Sequence, residues 1–420
     1  MAQHSFNESL TPVQPDQRVF NGFSHMALWF SLGVGLLVMQ VGAYLVPQLG
    51  TQEALLVIVL GSVLGAGLLA WVAKLGCDTG LSSAGLMHLV FGRSFARLPV
   101  LLNIVQLLGW TAFELVVMRD GTVAMLNSTH PAAPWLATLF WGGVLTLLMT
   151  SSMMSLVRSF LSRFGLPLVV MSLLWLTWQF HGLLQAQGWE AFWQRQGTDQ
   201  KSYVVGLELV IAMPISWLPL IADYARFGTR SRSAFAGSWL GYALANVWCY
   251  ALGVMVISVS APDANLVNTL LLAQGGLLAL GLILLDEIDN AYGDVYSASV
   301  NGHSLRSEWS TRQWGLGMAA VSTLLAMVLP MHSLEPFLLT LSSVFVPMFG
   351  VILGRLGSGA VPISEVGVDI KAVLAWVLGI AVFQGCMAYA PEWGYALPSL
   401  VVSGLLGWLT RPASHSVTAA

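Results

Sequence analysis

The sequence predicts an all-α integral membrane protein of about 12 transmembrane helices, and three observations carry this prediction. Hydrophobic residues make up 56% of the 420 residues and charged residues only 9%, whereas soluble domains carry about 25% charged residues. Apolar stretches of roughly 20 residues, long enough to cross a bilayer, recur along the chain. The basic residues lie between these stretches with a strong bias to one side of the membrane.

Each apolar stretch is predicted to be one span, and an even number of spans places both termini on the same side. In chain order, spans 1 to 12 cover residues 26–48, 53–76, 98–125, 134–155, 164–185, 203–222, 234–258, 267–289, 314–330, 334–354, 370–389 and 394–410.

The Lys and Arg residues indicate which side that is. If the N-terminus is cytoplasmic, 14 of the 17 basic residues fall at cytoplasmic ends or loops, and only Arg119, Arg195 and Lys201 fall on the far side. Cytoplasmic loops of membrane proteins are enriched in Lys and Arg. The sequence therefore predicts a multi-pass protein of the cell inner membrane with both termini in the cytoplasm and the lipid bilayer around it.

Several function classes are disfavoured. The net charge of −3 provides no basic surface for nucleic acid. The three cysteines, Cys77, Cys249 and Cys386, lie far apart without metal-ligand spacing, and no phosphate-binding loop, GxSxG or CxxC motif occurs. We expect no enzyme, no cofactor, no resident metal and no obligate protein partner. A transporter is favoured over two alternatives, a channel and a membrane-embedded enzyme.

Two spans carry helix-breaking residues near mid-membrane. Span 1 contains Gly33, Gly35 and Gly42, and span 6 contains Pro214 and Pro219 five residues apart. The carbonyl groups that these residues free are tolerated where they line a cavity. Broken helices at corresponding positions of two halves indicate the binding site of a transporter. The alternative is that these residues only allow close helix packing.

Span 3 carries polar residues at membrane depth, where they are costly and usually have a functional role. Trp110 and Glu114 are four residues apart and share a helix face. An indole beside a carboxylate suits a flat, hydrogen-bonding heterocycle, which could stack on the ring and donate to the carboxylate. The alternative is that Glu114 pairs with a neighbouring group such as Arg119 and that Trp110 only packs.

Span 8 runs directly into an acidic cluster. Asp286, Asp289 and Asn290 are three and four residues apart and share a face, from which Glu287 is predicted to point away. Such a cluster could hold a cation, move a proton or bind a cationic solute. The alternative is that it forms the solvated cytoplasmic mouth of span 8. Glu208 in span 6 is a further ionisable residue, either buried or interfacial.

Three segments have a recognisable order and spacing. They are residues 74–82 (KLGCDTGLS) with 91–94 (FGRS) and Pro99, residues 106–110 (QLLGW) and residues 222–228 (ADYARFG). Together they resemble the nucleobase:cation symporter family that includes cytosine permease. Residues 102–112 (LNIVQLLGWTA) and 294–298 (DVYSA) look closest to its branch of hydroxymethylpyrimidine transporters, which is linked to thiamine precursor salvage.

The resemblance implies a leucine-transporter-like fold, a 5+5 inverted repeat plus two peripheral helices. The chain then divides into a cytoplasmic N-terminal segment (1–25), a ten-helix transport core (26–354), two peripheral transmembrane helices (355–410) and a cytoplasmic tail (411–420). It also implies that the substrate ring stacks on the tryptophan of span 3 and forms a hydrogen bond with the residue one helical turn later. Spans 1, 6 and 8 would form the other walls of the site. The substrate-binding residues so implied are Trp110, Glu114, Gln106, Gln40, Pro214, Ser216, Trp217, Asp289 and Asn290.

The coupling ion is less clearly implied, because the chain departs from the family there. Sodium in such transporters is held by carbonyls of broken span 1, here near Gly35 and Val38, and by small hydroxyl residues of span 8. This chain has Asp286, Glu287 and Asp289 at those span 8 positions. Either Na+ or H+ is therefore expected to be the coupling ion.

The resemblance implies a secondary active transporter that imports a small heterocyclic substrate, hydroxymethylpyrimidine or a related thiamine precursor, by cation symport. A cytosine or purine permease is the alternative within the same class. Asp223 and Arg226 lie at the cytoplasmic end of span 6 and are expected to act as gate or fold residues.

Overall fold

The computed structural model describes residues 9–150, 165–198, 203–260, 266–330, 334–357 and 366–411. Parts of predicted spans 4 and 5, the basic residues Arg158, Arg163 and Lys201, and most of the predicted cytoplasmic tail lie outside the described residues. Within them the chain is helical, and its only extended pairing is an isolated bridge between Phe20 and Gly228. The predicted all-α membrane fold is confirmed.

Seventeen α-helices cover the described chain, and every predicted span coincides with a helix or a helix pair. The first half contains α1 (Gly22–Ser31), α2 (Leu36–Tyr44), α3 (Thr51–Thr79), α4 (Ser83–Phe91), α5 (Arg97–Met125), α6 (Ala133–Leu148), α7 (Leu166–Gln187) and α8 (Trp189–Trp193). The second half contains α9 (Tyr203–Ser216), α10 (Leu218–Ala225), α11 (Ser231–Val259), α12 (Leu266–Leu270), α13 (Gly276–Leu305), α14 (Thr311–Ala326) and α15 (Leu334–Leu356), and α16 (Ile370–Tyr389) and α17 (Ala396–Leu409) follow.

Length and hydropathy mark many of these helices as membrane spans. Seven are long and apolar enough to cross a bilayer, with α9 and α10 taken together as one, and the bent pair α1–α2 makes an eighth. Helices α6 and α17 are apolar but shorter. Helix α14 has 16 residues, and the 30-residue α13 carries the acidic cluster in its apolar part. The chain is therefore a multi-pass membrane protein.

The two halves of the core have matching helix lengths. Helices α3 and α11 each have 29 residues, α5 and α13 have 29 and 30, and α6 and α14 each have 16. The same pairs pack against each other, α3 with α11, α5 with α13 and α6 with α14. An interrupted helix pair opens each half, α1–α2 in the first and α9–α10 in the second. This pattern is that of an inverted repeat.

Helix α13 corrects the predicted bounds of span 8. The prediction ended the span at residue 289, whereas the helix continues to Leu305. Asp286 and Glu287 are therefore in mid-helix and are only 5% and 1% exposed. The alternative of a solvated cytoplasmic mouth is wrong, because the helix continues through Gly293 to Leu305 and most of the residues after Asn290 are buried.

The peripheral helices are tied to the core by two carboxylates, one buried and one partly exposed. Glu208 of α9 accepts hydrogen bonds from the backbone N–H groups of Tyr395 and Ala396, at 3.0 and 2.9 Å. It thereby satisfies the free N–H groups at the start of α17. Asp369 caps α16 and forms an ion pair with Arg355 of α15 at 2.6 Å. Glu208 is thus buried rather than interfacial.

Candidate functional site

The interruption of span 1 is the centre of the site. Helices α1 and α2 meet at an angle of 64° across a break of a few residues, and the break frees backbone groups that helix geometry would pair. Asn290 donates from Nδ2 to the carbonyl of Val34 at 3.1 Å. Glu287 accepts a short hydrogen bond from the backbone N–H of Leu36, the first residue of α2. Two side chains of α13 therefore replace the missing helical partners.

Glycine at position 35 makes this arrangement possible. A Cβ atom on Gly35 would lie 3.0 and 3.2 Å from the two carboxylate oxygens of Glu287 and 3.4 Å from Nδ2 of Asn290. Gly33 is similarly confined, because its Cβ would lie 2.8 Å from that of Ala245 on α11. The glycines of span 1 thus serve close approach between the broken helix and its neighbours, beside the candidate site.

Gly35→Ala is therefore expected to displace Glu287 and Asn290 and to weaken their bonds to the break, at a cost of about 1–3 kcal/mol. We expect a lower unfolding temperature in detergent and weaker uptake. Gly182→Ala on α7 is the matched control, because no atom of the described residues lies within 4 Å of the added Cβ. Thermal unfolding and uptake of both variants test this expectation, which fails if the two variants behave alike.

The acidic residues of α13 do not act as one cluster. Asp286 accepts from Oγ of Ser31 on α1 at 2.8 Å, whereas Asp289 is only half-buried. Glu287 was predicted to point away from the site, and that prediction is wrong: it faces the break and accepts from Asn290 Nδ2 at 3.2 Å. The reason is that residues 287 and 290 are three apart on the helix and share the side that packs on α2.

Helix α5 presents its predicted face to the same region. Glu114 is 4% exposed, and its carboxyl lies near those of Glu287, Asp286 and Asp294 on α13. The alternative pairing of Glu114 with Arg119 is wrong, because Arg119 bonds Asp120 and the carbonyl of Ala326 instead.

Aromatic rings flank these polar groups. Phe337 of α15 contacts Trp110 edge to face, with ring centroids 5.3 Å apart. Trp217, the residue between α9 and α10, contacts Trp29 of α1 edge to face at 5.9 Å. Trp110 and Trp217 are 5% and 7% exposed. Stacked or edge-to-face aromatic contacts are the usual environment of a flat ring in a protein.

Several buried polar atoms near the break have no hydrogen-bond partner among the residues that the structure describes. They include the donor Nε1 of Trp110 and the acceptors Oε2 of Glu114, Oδ1 of Asn290 and Oδ2 of Asp286. Buried polar atoms are normally paired, so each unpaired one needs an explanation. A ligand that offers at least two donors and one acceptor would pair the first three.

Other predicted site residues are placed around this centre rather than in it. Pro214 packs on α3, because a Cβ on Gly65 would lie 2.3 Å from its Cγ. Ser216 donates to the carbonyl of Met213 at 2.7 Å. Gln40 is half-buried on α2, and Val38 is 4% exposed on the same helix.

Gln106 belongs to a polar network one turn from Trp110. It donates to Oδ1 of Asn103 at 2.9 Å, and Asn103 donates to the carbonyl of Pro219 on α10 at 2.8 Å. A second bond from Asn103 reaches Asn301 of α13 at 3.2 Å. This network joins three helices below the site, while Oε1 of Gln106 keeps no partner within the described ranges.

Asp223 and Arg226 lie at the end of α10, remote from the break. Asp223 is fully buried and accepts from the backbone N–H of Ser83 at 2.9 Å and from Oγ of Ser297 by a short bond. It therefore joins α10 to α4 and α13. Arg226 stacks over Phe227, 4.9 Å from the ring centroid. These contacts fix the end of α10 against its neighbours, and the gate or fold role of the two residues stays a prediction.

Sequence reasoning missed Trp29, Ser31 and Phe337. Trp29 is fully buried, Ser31 donates a hydrogen bond to Asp286, and the ring of Phe337 contacts that of Trp110. The glycines at 33 and 35 signalled a break but not which flanking side chains would line it. Nothing in the sequence signalled Phe337, because its contact with α5 joins residues more than two hundred positions apart.

The chain matches other proteins over nearly its whole length. The sequence model of the family described as permease for cytosine/purines, uracil, thiamine, allantoin matches residues 12–409. The structure of Mhp1, a nucleobase-cation-symport-1 family transporter in a closed conformation with bromovinylhydantoin bound, is similar with a TM-score of 0.79 at 15% identity, covering 96% of this chain and 94% of that chain.

Two further solved structures share the fold. The inward-facing conformation of Mhp1 gives a TM-score of 0.77 at 15% identity, covering 97% of this chain and 94% of that chain. A Na+-coupled sialic acid symporter in a substrate-bound outward-open state gives 0.66 at 11% identity, covering 97% and 92%. No curated protein sequence matches this chain.

A repeat of interrupted helices around a buried polar and aromatic site defines the class: a membrane transporter, not an enzyme. The family match covers most of the 420 residues. This chain belongs to the family of permeases for cytosine/purines, uracil, thiamine and allantoin, as the resemblance of its motifs implied.

Proposed function

We propose that this transporter imports a pyrimidine-like solute, hydroxymethylpyrimidine or a related thiamine precursor, by symport with a cation. The observation that carries the proposal is the set of unpaired buried polar atoms on α5 and α13: a donor on Trp110 and acceptors on Glu114 and Asn290. An aminopyrimidine has an exocyclic amino group with two donors and ring nitrogens that accept, so it complements all three. Its flat ring fits against Trp110.

In the proposed mechanism the solute enters between α5 and α13 beside the break of span 1. Its amino group donates to the free oxygens of Glu114 and Asn290, and a ring nitrogen accepts from the Trp110 indole. Glu287 and Asn290 also form hydrogen bonds with the backbone of Leu36 and Val34. Binding of the solute is therefore linked to the angle between α1 and α2. That link would let occupancy bias the outward-to-inward change on which alternating access depends.

The coupling cation is proposed to be Na+ or H+. The oxygens available for either are those of Asp286, Glu287 and Asp289, with the backbone near Gly35 and Val38. The carbonyl of Gly35 already accepts from the N–H of Met39 at 3.1 Å. The free Oδ2 of Asp286 is therefore the best-placed acceptor.

We also propose that the transport core comprises residues 26–354 and that residues 355–410 form the peripheral helices. The chain is proposed to lie in the inner membrane with both termini in the cytoplasm. The basic residues at predicted cytoplasmic ends support this orientation. Labelling of single cysteines at residue 17 and at residue 187 from the outside of intact cells tests it. We expect labelling at 187 only, and labelling at 17 alone would reverse the orientation.

The function is tested by uptake into liposomes that contain the purified protein. Labelled hydroxymethylpyrimidine, cytosine and thiamine are offered in turn under an imposed Na+ gradient and then under an H+ gradient. We expect concentrative uptake of hydroxymethylpyrimidine under one gradient. Preference for cytosine would support the alternative permease, and no uptake of any of the three by folded protein would contradict the proposed substrate class.

Asp289→Asn is expected to change the ion dependence of uptake, because this half-buried carboxylate lies one turn from Asp286 and its charge acts on any cation bound there. We expect a several-fold weaker response to the driving gradient with substrate binding retained. Asp16→Asn, at an exposed position of the N-terminal segment, is the control. Unchanged gradient dependence of Asp289→Asn would remove this residue from the coupling site.

A further inference from the structure

A cavity of about 370 Å3 lies where the N-terminal segment crosses one end of the helix bundle. Its wall consists of residues 11–14 and 17 together with Arg226 and Phe227, which follow α10. Pockets that bind small molecules have volumes of about 300–1,000 Å3. None of these residues belongs to the transport site, so the cavity requires an explanation of its own.

The described N-terminal segment, residues 9–20, forms a strap across this end of the bundle. The N–H of Val13 donates to the carbonyl of Gly80 after α3 at 2.9 Å, and the N–H of Phe20 donates to the carbonyl of Phe227 at 2.9 Å. Between these two attachments the strap passes over the cavity. A ligand in the cavity would therefore contact both the strap and the end of α10.

Arg226 brings to the cavity a guanidinium that forms no ion pair with any described residue, although the Asp223 carboxyl lies near it. Its side chain is 6% exposed, and it donates from Nε to the carbonyl of Asp223 at 3.2 Å and from Nη2 to the hydroxyl of Tyr296 at 3.4 Å. Neither acceptor is charged, and the Asp223 carboxylate is occupied by Ser83 and Ser297. In the described part of the chain, Nη1 has no hydrogen-bond partner and the guanidinium has no ion pair.

The other residues of the wall complete a site for an anion. A buried guanidinium is costly without a negative partner, and its planar donors match phosphate oxygens well. The exposed residues Gln14 and Gln17, which line the same cavity, have side chains with amide donors. No acidic residue is among the described residues that line the cavity.

We propose that this cavity binds the phosphate group of a cytoplasmic ligand, and that the bound phosphate holds the strap against Arg226. The side of the membrane rests on the orientation proposed above, whereas the site itself does not depend on which solute is transported. The phosphate can come from a soluble phosphate ester or from the headgroup of an inner-leaflet phospholipid. In both cases occupancy would stabilise the closed state of this end of the bundle.

Binding is tested with inorganic phosphate as the probe, on the purified full chain in phosphate-free detergent, against chloride at equal ionic strength. Calorimetry gives the Kd, and hydrogen exchange reports protection of residues 9–20. We expect saturable binding that slows exchange in the strap. Because transport is not measured, this result is separable from failure of the proposed transport function.

Gln17→Glu places a carboxylate in the cavity at an exposed position and should raise the Kd at least tenfold. Arg226→Gln should abolish binding, and Gln187→Glu, exposed at the end of α7, is the control with an unchanged Kd. No binding by the parent, or the same Kd in Gln17→Glu as in the parent, would overturn the proposal. The exposed variant keeps the test valid if Arg226→Gln does not fold.

Nanodiscs distinguish the two sources of phosphate. Strap protection in phosphatidylglycerol nanodiscs without added phosphate, absent in Gln17→Glu, would identify a headgroup as the ligand. Protection that requires added inorganic phosphate would identify a soluble ester. Each result supports the phosphate site, whereas an unprotected strap under both conditions would count against it.

Discussion

Trp110→Ala is expected to raise the Kd of the transported heterocycle by about ten- to hundredfold, because loss of one aromatic stacking contact to a base costs about 1–3 kcal/mol. The substitution also removes the indole N–H, the donor that has no protein partner in the described residues. Binding is measured by scintillation proximity or calorimetry on purified protein, with thermal unfolding to establish that the variant is folded.

Two further variants make this result specific. Trp110→Phe keeps a ring but loses the donor, so the Kd should rise by roughly three- to tenfold. Trp178→Ala removes a tryptophan of α7 that is 72% exposed, and substrate affinity should not change. If Trp110→Ala bound substrate as the parent does, the site would not lie on this face of α5.

Glu287→Ala is expected to reduce uptake at least about tenfold and to lower the unfolding temperature. The variant leaves the N–H of Leu36 without its acceptor at the break, and an unpaired buried backbone donor costs about 1–3 kcal/mol. It also removes the negative charge at the start of α2, which the helix dipole stabilises. Uptake into liposomes and thermal unfolding measure the two effects.

Glu287→Gln separates the hydrogen bond from the charge. The amide oxygen still accepts from Leu36, so the variant should fold nearly as the parent does, while uptake should still fall if the charge takes part in coupling. Glu392→Ala, at an exposed position before α17, is the control. Parent-like uptake by both Glu287 variants would show that this residue has no part in transport.

The sequence was sufficient to predict the class of fold and which polar residues of α5 share one helix face. Hydrophobic stretches must be about as long as the bilayer is thick, so composition alone located the spans. The side chains of an α-helix repeat every 3.6 residues, so the shared face of Trp110 and Glu114 could be derived from their spacing. Motif order over most of the chain indicated the family, which the match to residues 12–409 confirmed.

Tertiary structure alone decided how α13 meets the break. The sequence showed acidic residues after an apolar run, but whether neighbouring helices bury those residues depends on tertiary packing, which is not a local property. Whether Glu287 or Asp289 faces span 1 depends on the rotation of α13 against α2 and α5, and that rotation is set by packing. The pairing of Val34 and Leu36 with Asn290 and Glu287 joins positions some 250 residues apart, so no spacing rule could predict it.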